Sequence, residues 1–162
     1  MIASSAVDKA RVLGADWKDE IEFITVGLKH IKLWTLNGRN LTSQKGVYGS
    51  VPKEAHLVAC YAFNKKTCVS GDAKGNLVTW SGRSATKAIK AHNGGLWALH
   101  STKDKLFSGG QDGFIKVFNS KMEETEKIDM SKYTSFNPGV RAIDSNSKGV
   151  MLLGLKGGDV IN

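Results

Sequence analysis

The 162 residues carry 23 lysines and arginines against 15 acids, a formal charge of +8, with 41% hydrophobic residues and 18 glycines. Two cysteines are too few for a disulfide scaffold, the longest apolar runs fall far short of a membrane span, and the first twenty residues, with Asp8, Lys9, Arg11 and Asp16, hold no signal-peptide core. The composition therefore reads as a soluble all-β chain, cytoplasmic by default, whose basic balance favours acidic partners without identifying them.

One phrase recurs along the chain. Ile24-Thr25-Val26-Gly27 leads to Ile31-Lys32-Leu33-Trp34, Val69-Ser70-Gly71-Asp72 leads to Leu77-Val78-Thr79-Trp80, and Ser108-Gly109-Gly110-Gln111-Asp112-Gly113 leads to Ile115-Lys116-Val117-Phe118. A fourth copy opens at Leu152-Leu153-Gly154 and stops one residue short of its aromatic position. Anchors roughly 38 to 46 residues apart match one four-stranded blade of a β-propeller per copy. Within the second copy the apolar run 56–63 predicts a strand, 64–66 a polar turn, and 67–70 its antiparallel return. Asp72-Ala73-Lys74-Gly75 supplies a tight reversal into a third strand over 76–80, and a lysine-bearing outer strand follows near 86–90. The third copy repeats this order over 96–100, 105–108, 114–118 and 125–129. Both prolines, Pro52 and Pro138, fall between blades, where a missing N–H costs no ladder bond. No stretch shows a sustained helical period.

The fold predicted is thus an all-β, partial WD-repeat β-propeller over residues 1–162, with about three to four four-stranded blades ending near Trp34, Trp80, Phe118 and beyond Asn162. A seven-bladed ring needs about 280 residues at about 40 per blade, so the chain reads as one partial blade, two full blades and a truncated one. An excerpt of a larger protein and an arc completed by another chain both fit this count. A closed four-bladed ring is the alternative. Terminal blades of an open arc present apolar faces to water, which predicts self-association or a loosely folded species.

His92, Ser108 and Asp112 are the side-chain types of a hydrolase triad. They are also the His, hydroxyl and Asp of the hydrogen-bonded tetrad in a WD-type blade, with Phe118 in place of the usual Trp. No strand-to-helix nucleophile elbow and no oxyanion site accompany them, so the tetrad is the reading adopted and no enzyme is predicted. His30, His56, His92 and His100 show no metal-ligand spacing, and Cys60 and Cys68 read as two small buried thiols rather than a bridge. Gly154-Leu155-Lys156-Gly157-Gly158 joins strand to strand without a helix N-terminus, so it reads as a turn and not a phosphate loop. Neither metal nor cofactor is expected.

Blade topology sorts the charge. Turns between first and second strands and between third and fourth strands open on one face, carrying Lys65, Lys66, Lys103, Lys105 and Lys148 with Arg39, Arg83 and Lys121. The other face receives Lys29, Lys74, Lys156, Lys45, Lys53 and Lys90. Lysine-rich solvated turns and an anion-binding rim are the two readings. No aromatic stripe is interleaved with the cations, so neither specific nucleic acid nor membrane is a predicted partner.

The run Gly27-Leu28-Lys29-His30-Ile31-Lys32-Leu33-Trp34-Thr35-Leu36-Asn37-Gly38-Arg39-Asn40-Leu41-Thr42, followed by Lys45-Gly46-Val47-Tyr48-Gly49, resembles the atypical WD blades of echinoderm microtubule-associated protein-like proteins. Ile89-Lys90-Ala91-His92-Asn93-Gly94-Gly95, Phe107-Ser108-Gly109-Gly110-Gln111-Asp112-Gly113 and Val140-Arg141-Ala142-Ile143 are similar to successive segments of that family in the same order. The resemblance spans about residues 20–160. It implies a non-enzymatic propeller segment of a cytoskeletal protein that binds tubulin or microtubules; the alternative is a WD scaffold for a non-cytoskeletal protein. Neither the N-terminal coiled coil nor the hydrophobic motif that precedes the propellers in that family is present in this stretch.

Overall fold

Glycine-rich reversals between short apolar runs leave the chain little choice but antiparallel meanders. The computed structural model describes residue 4 and residues 10–162; Asp8, Lys9 and the rest of the predicted domain's first residues lie outside the described residues. Three sheets have four strands in sequential order: β1 Val12–Trp17, β2 Glu22–Gly27, β3 His30–Asn37 and β4 Asn40–Lys45; β5 His56–Tyr61, β6 Thr67–Asp72, β7 Asn76–Ser81 and β8 Ser84–Lys90; β9 Leu96–Ser101, β10 Leu106–Gly110, β11 Phe114–Phe118 and β12 Glu124–Asp129. The fourth has three: β13 Val140–Ser145, β14 Met151–Leu155 and β15 Val160–Ile161. Nearly the whole described chain is therefore β, folded as four blades of a WD-repeat propeller.

The register repeats as the sequence does. Ala15 faces Thr25, Ala59 faces Ser70, Leu99 faces Ser108 and Ile143 faces Leu153. A register shift accompanies the start of each first strand, between Val12 and Gly14, His56 and Val58, Gly109 and Gly110, and Val140 and Ala142. Such a bulge turns the strand more sharply, as an innermost strand must.

The core lies between blades rather than within them. Ile24, Val26 and Ile31 of the first blade meet Ala59, Cys68, Val78 and Trp80 of the second. Val69 and Leu77 meet Leu96, Leu106 and Phe118 of the third, and Ala98 and Ile115 meet Val140, Leu153 and Leu155 of the fourth. Burying one such side chain stabilises by about 1.5–3 kcal/mol. First strands pack side by side in the order β1, β5, β9, β13, with no comparable packing between the first and fourth blades among the described residues. Val12, Leu13 and Trp17 at one end, and Val150, Leu152 and Val160 at the other, are accordingly exposed.

Two expectations change. The first blade is complete, because β1 supplies an innermost strand where the sequence reading placed none. The polar turn predicted over 64–66 is a tight turn over Ala62–Lys65, in which Phe63, Asn64 and Lys65 have φ of 54°, 56° and 63°. Left-handed backbone costs an L-residue roughly 1–2 kcal/mol. Tertiary contacts hold it here: the Phe63 ring is buried in the core and its N–H donates to Ser101 Oγ at 2.9 Å.

Candidate protein-interaction face

In each meander the β1–β2 and β3–β4 type turns emerge at one end, and contacts between blades tie those ends together. Lys65 Nζ lies 3.1 Å from Asp16 at the end of β1, the Phe63–Ser101 bond joins the second and third blades, and His100 Nε2 lies 2.7 Å from Ser145 Oγ. The predicted cations Lys65, Lys66, Lys103, Lys105, Lys148, Arg39, Arg83 and Lys121 all occupy these turns and are all exposed. They are not electrostatically equal. Lys65 is committed to Asp16, and Lys105 lies 2.9 Å from Glu126. Lys66, Lys103, Lys148, Arg39, Arg83 and Lys121 have no ion pair among the described residues.

Lys18, in the β1–β2 turn, belongs to the same face and escaped the sequence reading. It pairs with Glu22, four residues on, a spacing that the reading overlooked. Lys18, Lys65, Lys66 and Arg83 surround a cleft of about 760 Å³ between the first and second blades, whose walls include Trp34, Trp80 and Tyr61. A second recess of about 620 Å³, nearer the inner strands, is lined by Asp16, Lys65, His100 and Lys103.

Beneath the opposite face lies the tetrad. Gly75, with φ of 83°, accepts the N–H groups of Ala91 and His92 at 3.0 and 2.9 Å, which fixes the lead-in to β9. The buried His92 then has Nδ1 2.9 Å from Asp112 Oδ1 and Nε2 2.7 Å from Ser108 Oγ. Burial lowers the His92 pKa against the pull of Asp112. Burial of Asp112 opposes its charge, but the Asn93 N–H, His92 and the Phe114 N–H together hold its carboxyl below the usual range. A neutral imidazole that donates from Nδ1 and accepts at Nε2 satisfies all three groups. Phe118, at the position that Trp80 holds in the second blade, is buried, and its ring has no N–H to offer.

Blades one and two solve the same problem differently. Thr25 Oγ1 accepts from Trp34 Nε1 at 2.8 Å and lies 2.7 Å from His30 Nε2. Ser70 Oγ accepts from Trp80 Nε1 at 2.8 Å, while Asp72 accepts the amides of Lys74 and Asn76 and the Asn76 side chain. His56 is left fully buried beside Tyr48 and Trp80, with neither ring nitrogen hydrogen-bonded among the described residues. Its burial pulls the pKa down from 6.5 to about 4, against the charge of Asp72.

Cys60 and Cys68 are free and buried, with burial pushing both thiols up to about 12. Among the described residues no group of His, Cys, Asp and Glu is placed to hold a metal, and no helix is long and apolar enough to cross a membrane.

No protein-family profile matches the chain. It is 28% identical over 112 residues to echinoderm microtubule-associated protein-like 2 of Rattus norvegicus, covering 66% of this chain and 17% of that protein. To echinoderm microtubule-associated protein-like 1 of Mus musculus it is 27% identical over 137 residues, covering 81% and 16%. The chain thus spans 16–18% of the length of such curated relatives. Among solved structures, the computationally designed Ika4 protein superposes with a TM-score of 0.74 at 18% identity, covering 99% of this chain and 95% of that one. The WD40 repeats of RRP9 superpose at 0.73 and 14% identity, covering 91% and 46%. The likeness to those structures speaks for the fold alone. By sequence, the chain is similar to echinoderm microtubule-associated protein-like proteins, and its fold is that of WD-repeat blades.

Proposed function

We propose that the chain is a non-enzymatic protein-interaction module that contributes to binding of tubulin or microtubules in the cytoskeleton, through the face that carries Lys66, Lys103, Lys148, Arg39, Arg83 and Lys121. The observation that carries this reading is that six exposed cations, without an ion pair among the described residues, stand in the turns of one face of a chain similar to microtubule-associated proteins. The role assigned to His92, Ser108 and Asp112 is structural: the serine and imidazole are buried and their polar atoms are engaged with one another and with Asp112. Binding of this kind weakens with salt, because exposed charges beyond about 10 Å are screened at 0.1 M. Co-sedimentation of the chain with microtubules at two salt concentrations tests it. Pelleting at low salt that falls at high salt supports the reading; no pelleting at either concentration overturns it in favour of a scaffold for another protein.

A further inference from the structure

The cleft between the first two blades is built differently from the rest of the basic face. Five charged side chains line it, Lys18, Glu22, Lys65, Lys66 and Arg83, and Lys18 and Lys65 are engaged by carboxylates. Lys66 and Arg83 have no ion pair among the described residues, and the hydroxyls of Thr42, Ser43 and Thr67 line the same recess. Its volume, about 760 Å³, is large enough to hold a short peptide segment.

Geometry and composition narrow what it accepts. Lys66 lies in the β5–β6 turn and Arg83 in the β7–β8 turn, two strands apart. At a strand spacing of about 4.8 Å the two turns are about 10 Å apart, and an extended chain covers that distance in about three residues. Rings in the cleft offer bases little to stack on: Phe23 is half-buried and already stacked on Trp34. Trp34 and Trp80 are 3% and 4% exposed, and their N–H groups are spent on Thr25 and Ser70.

We propose that this cleft binds an extended acidic segment of a partner protein, at least four residues long, with carboxylates at both ends to reach Lys66 and Arg83. The inference rests on the reading of the basic face as an interaction surface and names the chemistry that face recognises.

The probe is fluorescein-labelled hexaglutamate, titrated with the full 162-residue chain and read by anisotropy. Paired Lys66→Glu and Arg83→Glu substitutions are expected to weaken binding by about tenfold or more, and Lys66→Gln with Arg83→Gln by a smaller factor. Reversal at Lys103 and Lys148, on the same face outside the cleft, weakens it by no more than about threefold, since screened charges act weakly at that range. Denaturant midpoints identify any variant that has lost its fold. Equal losses from the two reversed pairs, no binding of hexaglutamate, or displacement of hexaglutamate by a thymidine hexanucleotide at lower concentration overturns the proposal. The same variants in microtubule co-sedimentation separate the two claims. Loss of pelleting without hexaglutamate binding removes the cleft and keeps the face; hexaglutamate binding without pelleting supports the cleft and removes tubulin as its partner.

Discussion

Asp112 holds three partners at once: the His92 ring and the N–H groups of Asn93 and Phe114. Asp112→Ala leaves a buried imidazole N–H without an acceptor, so it is expected to lower stability by roughly 1–3 kcal/mol in denaturant melts. An unchanged midpoint would show that the network contributes nothing to the fold. His56 gives a pH-dependent counterpart. Its folded pKa, about 4, lies below the ordinary 6.5, so its neutral form stabilises the fold above pH 6.5. That contribution is lost as pH falls from 6.5 to 4, by roughly 3 kcal/mol in all. His56→Asn should flatten this part of the stability–pH curve, and parallel curves for the two proteins would contradict the assignment. The sequence carried the His, Ser, Asp and Trp of blade two as plainly as the set in blade three. What it did not carry was which partners win: Trp80 takes Ser70 and the turn amides take Asp72, while Phe118 leaves Ser108 to His92.

Elements were legible wherever an apolar run was closed by Gly or by Asp-x-x-Gly. β11 falls on the predicted 114–118, and β7 and β9 lie within one residue of prediction. β1 was not legible, because Val-Leu-Gly-Ala-Asp-Trp has neither a clean alternation nor a long apolar run, and its strand character comes from pairing with β2 and packing on β5. The left-handed turn at Phe63–Lys65 was equally hidden: none of its residues is glycine, and only the buried Phe63 ring and the Ser101 hydroxyl explain it. At Gly75 the sequence did announce the constraint. A Cβ there would lie 2.1 Å from the His92 carbonyl oxygen, at a φ of 83°. Gly75→Ala is expected to cost more than about 1 kcal/mol, through both the backbone conformation and displacement of His92. A midpoint equal to that of the unsubstituted chain would mean that the second and third blades are joined less tightly here than the geometry indicates.

For the whole molecule, the repeat period settled the architecture because each blade buries its apolar faces only on its neighbours. Blade topology also sorts the basic turn residues between the two faces. The sequence could not tell which cations remain available: Lys65 and Lys105 are engaged by Asp16 and Glu126, residues 49 and 21 positions away in the chain. The central claim is that tubulin meets the face of β1–β2 and β3–β4 type turns. It is tested most directly by microtubule co-sedimentation of two charge-reversed chains, one carrying Glu at Lys66, Arg83, Lys103 and Lys148, the other carrying Glu at Lys29, Lys74 and Lys156 on the opposite face. The first set should reduce affinity by at least about tenfold and flatten its salt dependence, with the second changing it by less than about threefold. Equal responses to both sets, or binding that persists at high salt, would contradict the account and move the contact to the exposed apolar edges of the end blades.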